Sequence, residues 1–389
     1  MKKITTLLLF SLSAFSLNAQ SFIQAYQNRA NMVSQSNITA SLQDFANLGV
    51  KTSGSTANVN AFNWLKNKYL AFGYSVSQIT EDAFTFSNKS SKNLIITKTG
   101  TVYPNKYVII CGHFDSINGP GINDNGSGTS IILEAARILK DVPTEYSIKF
   151  IHFSGEEQGL LGSEHYVNNV VYQNNVKQLD IKLVFNLDQV GGKMGNNNNT
   201  VFCDEDQGGL ASNNAASTAV TQQLRNCTQL YSTLLTDVDP AENTDYMPFE
   251  EKGEVITGFF EKIRSNFPHT SGDTFANTDP VYIFNVGKAA VGALQHFAVA
   301  TTTVLGTDET TANFLESIKI YPNPAKDILH IELPKNVKNF QFEITDLLGH
   351  VLLKEENKSS INIEGLATGA YIGNLKTKDQ TVVRKILIE

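Results

Sequence analysis

The sequence predicts an α/β protein with a mixed, largely parallel central sheet flanked by helices, followed by a small all-β module. Three observations predict it. Between residues 107 and 187, short continuous apolar runs alternate with stretches of helical periodicity, the pattern of a sheet covered on both faces by crossover helices. After Thr301 the chain turns Thr-rich and poor in apolar side chains, which reads as a linker. Beyond it, short alternating segments separated by turn residues describe strands alone.

In chain order, Lys2 and Lys3 precede an apolar stretch from Ile4 to Phe15 and a small residue suited to cleavage after Ala19. Residues 1–19 therefore read as a secretory signal. Their apolar core is too short to cross a bilayer, and no transmembrane anchor is expected. From Ser21 to Leu70 apolar residues recur at helix spacing, with Ala61, Leu65 and Tyr69 as one stripe and Gly49 and Gly54 as breaks. Strands are expected at Ser75 to Ile79, Asn93 to Thr97 and Tyr107 to Cys111. Helix patterns follow at Ser127 to Lys140 and Ser163 to Val171, with strand patterns at Ile148 to Phe153 and Leu183 to Leu187. Four consecutive asparagines at 196–199 make a polar turn. The domain plan is a signal at 1–19, a large α/β domain at 20–303, a linker at 304–313 and a β module at 314–389. Strands of that module are expected at Ile328 to Leu333, Phe340 to Ile344 and Val382 to Ile388.

A formal net charge of -7, with no cluster of Lys and Arg, leaves no electrostatic basis for holding a nucleic-acid backbone. Nucleic acid is not an expected partner. Cys111, Cys203 and Cys227 allow one bridge at most, and they exclude a four-Cys zinc site. Cys203 and Cys227 are the better pair, because Cys111 sits in an apolar run that reads as buried.

In sheets of this kind ligands bind outside the carboxyl ends of the strands. After Cys111 come Gly112-His113-Phe114-Asp115-Ser116, after Phe153 come Ser154-Gly155-Glu156-Glu157, and the next strand ends in Asn186-Leu187-Asp188. His nitrogen and carboxylate oxygen are the ligands zinc takes readily. Asp124 lies in a Gly-rich loop, Gly119 to Gly128, that opens a helix pattern. Such a loop can cradle phosphate. This one has no P-loop Lys, and its central carboxylate repels an anion unless a cation stands between, so a metal accounts for Asp124 and a phosphate does not. His113 and Asp188 end strands expected to be neighbours.

The ordered segments Gly112 to Ser116, Asp124 to Gly128, Ser154 to Ser163, Asn186 to Asp188 and Pro268 to Thr274 resemble the co-catalytic di-zinc aminopeptidases of the bacterial leucyl aminopeptidase type, in peptidase family M28. The resemblance runs from about Ser41 to Ala298. It implies a zinc exopeptidase-like fold and two Zn²⁺ ions per chain, with His113 and Asp188 on one, Glu157 and His269 on the other, and Asp124 bridging. It also implies Glu156 as general base, Asp115 as acceptor of a hydrogen bond from the His113 ring, and a cis peptide at Asp124-Asn125. Two such ions can polarise a carbonyl and acidify a shared water. The segment Asn243 to Phe249 resembles the family's substrate-side loop, with Tyr246 where a His is usual, so Asp245 or Tyr246 would contact substrate. His152, His165 and His296 are assigned structural roles, His330 and His350 lie in the C-terminal module, and none of the five belongs to the expected site.

The segments Ile318 to Asp327, Leu366 to Tyr371 and Lys385 to Glu389 resemble the C-terminal sorting domain of the type IX secretion system. That implies a small β-sandwich recognised by the secretion machinery and passage through the periplasm to the cell surface or medium. The activity expected is hydrolysis of N-terminal residues from peptides. The alternatives are a glutaminyl cyclase-like acyltransferase, a carboxypeptidase or dipeptidase of the same superfamily, or a binding protein on this fold that has lost its metals.

Overall fold

The apolar runs upstream of Thr301 become neighbouring strands of one sheet. The structure is a computed structural model that describes residues 20–302 and 318–389, apart from 334–336, 338, 347–349 and 378–380. The expected signal at 1–19 and linker at 304–313 lie outside the described residues. The chain divides into two compact units between Thr301 and Thr302.

The first unit opens with helices α1 (Gln24–Ala30), α2 (Gln35–Asn47) and α3 (Thr56–Ala71). Ser34 and Ser55 start the second and third by accepting the amides of Asn37 and Asn58, the usual way an orphan N–H is satisfied. Then come β1 (Ile79–Phe86), β2 (Lys89–Lys98), β3 (Tyr103–His113), α4 (Gly128–Leu139), β4 (Tyr146–Phe153), α5 (Leu161–Tyr166), β5 (Tyr172–Gln173), β6 (Val176–Lys177) and β7 (Asp180–Leu187). After them run β8 (Thr200–Glu205), α6 (Ala211–Tyr231), β9 (Leu235–Pro240), α7 (Met247–Glu250), β10 (Ile256–Glu261) and α8 (Pro280–Ala298).

The main sheet has the order β1-β2-β4-β3-β7-β10-β8-β9. Strand β3 pairs in parallel with both β4 and β7, and β10 continues in parallel from β7. The β1–β2, β2–β4 and β10–β8 pairs are antiparallel, so the sheet is mixed with a parallel centre. Side chains alternate faces along a strand. Accordingly Val108 and Ile110 enter a core shared with α1 to α4, α6 and α8, while Ile109 and Cys111 enter a second core with Tyr166, Tyr246 and Phe249 on the other face.

The first expected strand begins four residues late. Residues Val76–Gln78 form a 3-10 turn, held by Ser75 donating its amide to the Gln78 side chain at 3.0 Å. Helix α5 ends at Tyr166, and Val167–Val171 continues as a wider π turn. All three cysteines are free and buried, so the structure holds no Cys203–Cys227 bridge; both residues pack as apolar groups in the larger core. No described helix is long and apolar enough to cross a membrane.

The second unit contains β11 (Lys319–Tyr321), β12 (Ile328–Glu332), β13 (Gln341–Thr345), β14 (Val351–Glu356), β15 (Ser360–Asn362), β16 (Gly369–Lys376) and β17 (Thr381–Ile388). They form two antiparallel sheets, β11-β12-β15 and β14-β13-β16-β17. Leu329, Ile331 and Ile361 from the first meet Phe342, Ile344, Leu375 and Ile386 from the second in one core, the packing of a small sandwich.

Candidate metal centre

Adjacent parallel strands deliver their C-terminal residues to one place. His113 is the last residue of β3, Asp188 follows β7, and Glu156 and Glu157 sit in the turn after β4. Asp124 lies in the buried Ile122–Ser127 turn before α4, with a cis peptide to Asn125. His269 comes from the loop before α8, at φ 59, and its side chain is half exposed.

The Nε2 atom of His113 lies 3.1 Å from Asp124 Oδ1 and 3.4 Å from Asp188 Oδ1. The Nε2 atom of His269 lies 3.1 Å from Asp124 Oδ2 and 3.0 Å from Glu157 Oε2. Two groups capable of holding a metal ion result: His113, Asp124 and Asp188, then Asp124, Glu157 and His269. Asp124 offers one oxygen to each. The Glu156 carboxylate is 4.0 Å from His113 Nε2 and belongs to neither group.

These residues fit divalent cations. His113 Nε2 and Asp188 Oδ1 are buried and have no hydrogen-bond partner, an expensive arrangement unless an ion satisfies both. Two ligands at about 2.1 Å from a tetrahedral ion stand roughly 3.4 Å apart, close to the separations found. The electrostatics agree. Burial pushes Glu157 up to about 8, and the neighbouring Asp124 charge adds to this. Burial pushes Glu156 up to about 10, reinforced by Asp188, Asp245 and Asp115 against the opposing His113. The hydrogen bond to Asp124 raises His269 to about 9. Without metal the cluster gathers protons, and cations would replace them.

Several side chains hold the loops. Asp273 accepts the amides of Asn123 at 2.7 Å and Asp124 at 2.9 Å, and Gln189 donates to Asp124 Oδ2 at 3.3 Å. Asn125 donates to Leu187 O and accepts the Gly128 amide. A side chain at Gly128 would stand 2.4 Å from Leu187 O, so only glycine lets α4 start this close to β7. Asp273 and Gln189 were not singled out from sequence, and Asn125 entered only as the partner of the expected cis peptide, which the structure contains. Asp273 had a signal, since it lies inside the Pro268 to Thr274 segment; Gln189 had none.

One sequence expectation gains detail and another changes. The His113 Nδ1 lies 3.3 Å from the Asp115 carbonyl oxygen and 3.6 Å from its carboxylate. That carboxylate also accepts the amides of Glu156 and Glu157, each at 3.3 Å. Tyr246 does not face a substrate: it is fully buried, donates to Asp204 at 3.0 Å and accepts the Glu242 amide at 2.6 Å. Its hydroxyl packs behind the sheet because α7 faces the second core. Asp245 is also fully buried, with the Ser163 side chain beside its carboxylate.

The fold and site define a mixed α/β protein with two adjoining metal-ligating groups at the carboxyl edge of its parallel strands. Residues 93–294 match the model of peptidase family M28, and the chain belongs to that family. Residues 319–389 match a secretion system C-terminal sorting domain. Aminopeptidase YwaD of Bacillus subtilis is 46% identical over 108 residues, 27% of this chain and 23% of that protein. A probable leucine aminopeptidase 2 of Aspergillus fumigatus is 29% identical over 221 residues, 53% of this chain and 42% of that one. The chain thus spans less than half the length of these curated relatives. Among solved structures, the LapA aminopeptidase of Legionella pneumophila shares the fold with a TM-score of 0.63 at 21% identity, covering 75% of this chain and 77% of that one. The glutaminyl cyclase of Macrostomum lignano shares it at 0.61 and 14%, covering 77% and 97%.

Proposed function

We propose that this chain is a secreted zinc aminopeptidase that removes N-terminal residues from peptides. The observation that carries the reading is the pair of ligand groups sharing Asp124, with the Glu156 carboxylate beside them and outside both. His113 and Asp188 would hold one zinc, Glu157 and His269 the other, and Asp124 both. Zinc in these positions supplies Lewis acidity toward a peptide carbonyl and toward water.

The chain's own residues do the rest. Glu156 takes the proton of the attacking water and returns it to the departing amine. Its side chain is 14% exposed, enough for a substrate to reach it and too little for free exchange with bulk water. Asp115 fixes the turn by accepting both glutamate amides. The half-exposed His269 marks the open side of the centre, where a peptide enters. The C-terminal unit is read as the address presented to the type IX secretion machinery after passage through the periplasm, leaving the enzyme outside the cell.

The test combines metal analysis with hydrolysis of aminoacyl and amino-blocked substrates, for wild type and Glu156→Gln. Two zincs per chain and activity only on free amines are expected. The variant should keep its metal and lose about 10²–10⁴-fold in kcat. Equal cleavage of blocked substrates would sink the exopeptidase reading. A single zinc with cyclisation of N-terminal Gln would favour the cyclase alternative.

A further inference from the structure

We propose that Lys51 is a positioning residue of the metal centre, its buried ammonium clasping the loop that carries Asp124. This rests on the zinc reading above. Lys51 lies between α2 and α3 and is fully buried. Its ammonium donates to Gly49 O at 2.8 Å and Pro120 O at 2.5 Å, stands 3.5 Å from Phe45 O, and lies 3.8 Å from the centre of the Phe45 ring. Burying a cation on main-chain carbonyls is costly, and an apolar side chain of the same length would fill the space without that cost. The charge therefore calls for an account.

Its surroundings supply one. Pro120 precedes Gly121, which turns the chain at φ 63 into the Ile122–Ser127 turn, and Gly126 returns its amide to Gly121 O at 2.9 Å. Fixing Pro120 fixes the base of that turn. The Lys51 main chain holds the same loop, donating to Ser116 Oγ at 3.1 Å, and Ser116 Oγ donates to Gly119 O at 3.0 Å. A second branch reaches the glutamate turn: Asn58 Nδ2 lies within hydrogen-bond reach of Lys51 O and of Ser154 Oγ, at 3.3 and 3.0 Å.

Burial lowers the ammonium to about 7, and the carboxylates that oppose this are Asp273 and Asp115. Those two accept the amides of Asn123 and Asp124 and of Glu156 and Glu157. The buried Lys51 thus acts electrostatically on both carboxylates that position the ligand loops, while its direct contacts are the main-chain carbonyls of Gly49 and Pro120.

The test compares wild type, Lys51→Met and Ser116→Ala by calorimetric titration of zinc into metal-free protein, kcat and KM on an aminoacyl anilide, and thermal melting. Lys51→Met is expected to melt cooperatively, to bind zinc about 10–100-fold more weakly and to lose kcat with KM little changed. Ser116→Ala, which removes the hydroxyl link between the Lys51 amide and Gly119 O and leaves the Ser116 amide on Lys51 O, should shift zinc affinity in the same direction by less. A Lys51→Met protein with zinc affinity and kcat within about twofold of wild type, and only a lower melting temperature, overturns the proposal, because filling space is then its whole role. Should Lys51→Met not fold, unchanged zinc affinity in Ser116→Ala overturns it equally. Wild type that binds no zinc overturns the enzyme reading and the clasp together, whereas normal wild type with indifferent variants overturns the clasp alone.

Discussion

Asp273 accepts two successive main-chain amides 149 and 150 residues away in sequence, and so decides where the Asp124 carboxylate stands. Its place in the Pro268 to Thr274 segment marks the residue but not its partners, because a carboxylate's partners are set by the fold. Three of the candidate ligands, His113, Glu157 and Asp188, were legible for the opposite reason: each follows a continuous apolar run, and the end of a buried strand is where this fold exposes side chains to a ligand, whereas Asp124 stood out by its Gly-rich loop and His269 by the family resemblance alone. His152 shows a residue whose assignment from sequence as structural leads to a measurable consequence. It is fully buried in β4, its Nε2 is 2.8 Å from the Tyr69 hydroxyl, and its Nδ1 has no partner. Burial lowers its pKa to about 3. The unfolded chain binds this proton below its ordinary value of about 6.5, and the folded chain does not. The stability contributed is complete above that value and is lost as pH falls toward the folded one. Urea unfolding of wild type and His152→Gln between pH 7 and 4 should therefore diverge by about 1.4 kcal/mol per pH unit at most, the wild type falling faster. Parallel curves would show that His152 does not titrate this way.

Among the elements, helix α8 illustrates how packing overrides local preference. Asp279 caps it by accepting the amides of Val281 and Tyr282, and its buried face lies against α6 and α1. At Gly292 an added Cβ would stand 2.5 Å from Tyr231 Cδ2 and 2.6 Å from Tyr231 Cβ. Tyr231 cannot yield, since it is 1% exposed and its hydroxyl accepts the Ile23 amide and meets His296 Nε2 at 2.7 Å. Alanine favours a helix over glycine by about 1 kcal/mol, but overpacking of about 1–3 kcal/mol opposes it. Gly292→Ala should lower the urea midpoint, and a raised midpoint would show that α6 and α8 can separate. At this scale β2, β3, β4 and β7 were legible from their apolar runs, whereas β1 was placed four residues early and β5 and β6 were not read. Strands β8 to β10 and helix α6 were not read at all: Ile256–Glu261 is wholly buried yet carries Gly258 and Glu261, and the Glu is tolerated only because Asn123, Gly192 and Ser265 donate to it.

At the scale of the whole molecule, the two units keep separate cores. Among the described residues, the two clusters of the first contain none beyond Ala300, and that of the second none before Ile318. A chain ending at Thr301 should keep the zinc affinity, kcat and melting temperature of the full protein, while a type IX-competent cell should retain it instead of exporting it. A truncated chain that aggregates or loses zinc would show that the first unit depends on the second. The sequence by itself determined the strand-and-helix order of the parallel centre, the all-β character of the C-terminal unit, and the short list of residues with metal-ligand chemistry. These are properties of neighbours along the chain, carried by apolar periodicity, by the residues that end each run and, for His269, by the motif that resembles the family's. Only the tertiary structure decided that Asp124 stands between two histidines, that Asp115 holds a turn through its carboxylate, that Tyr246 faces a core, and that Lys51 reaches Pro120. Those outcomes depend on hydrogen bonds between segments far apart in sequence, and no window of the chain contains both partners.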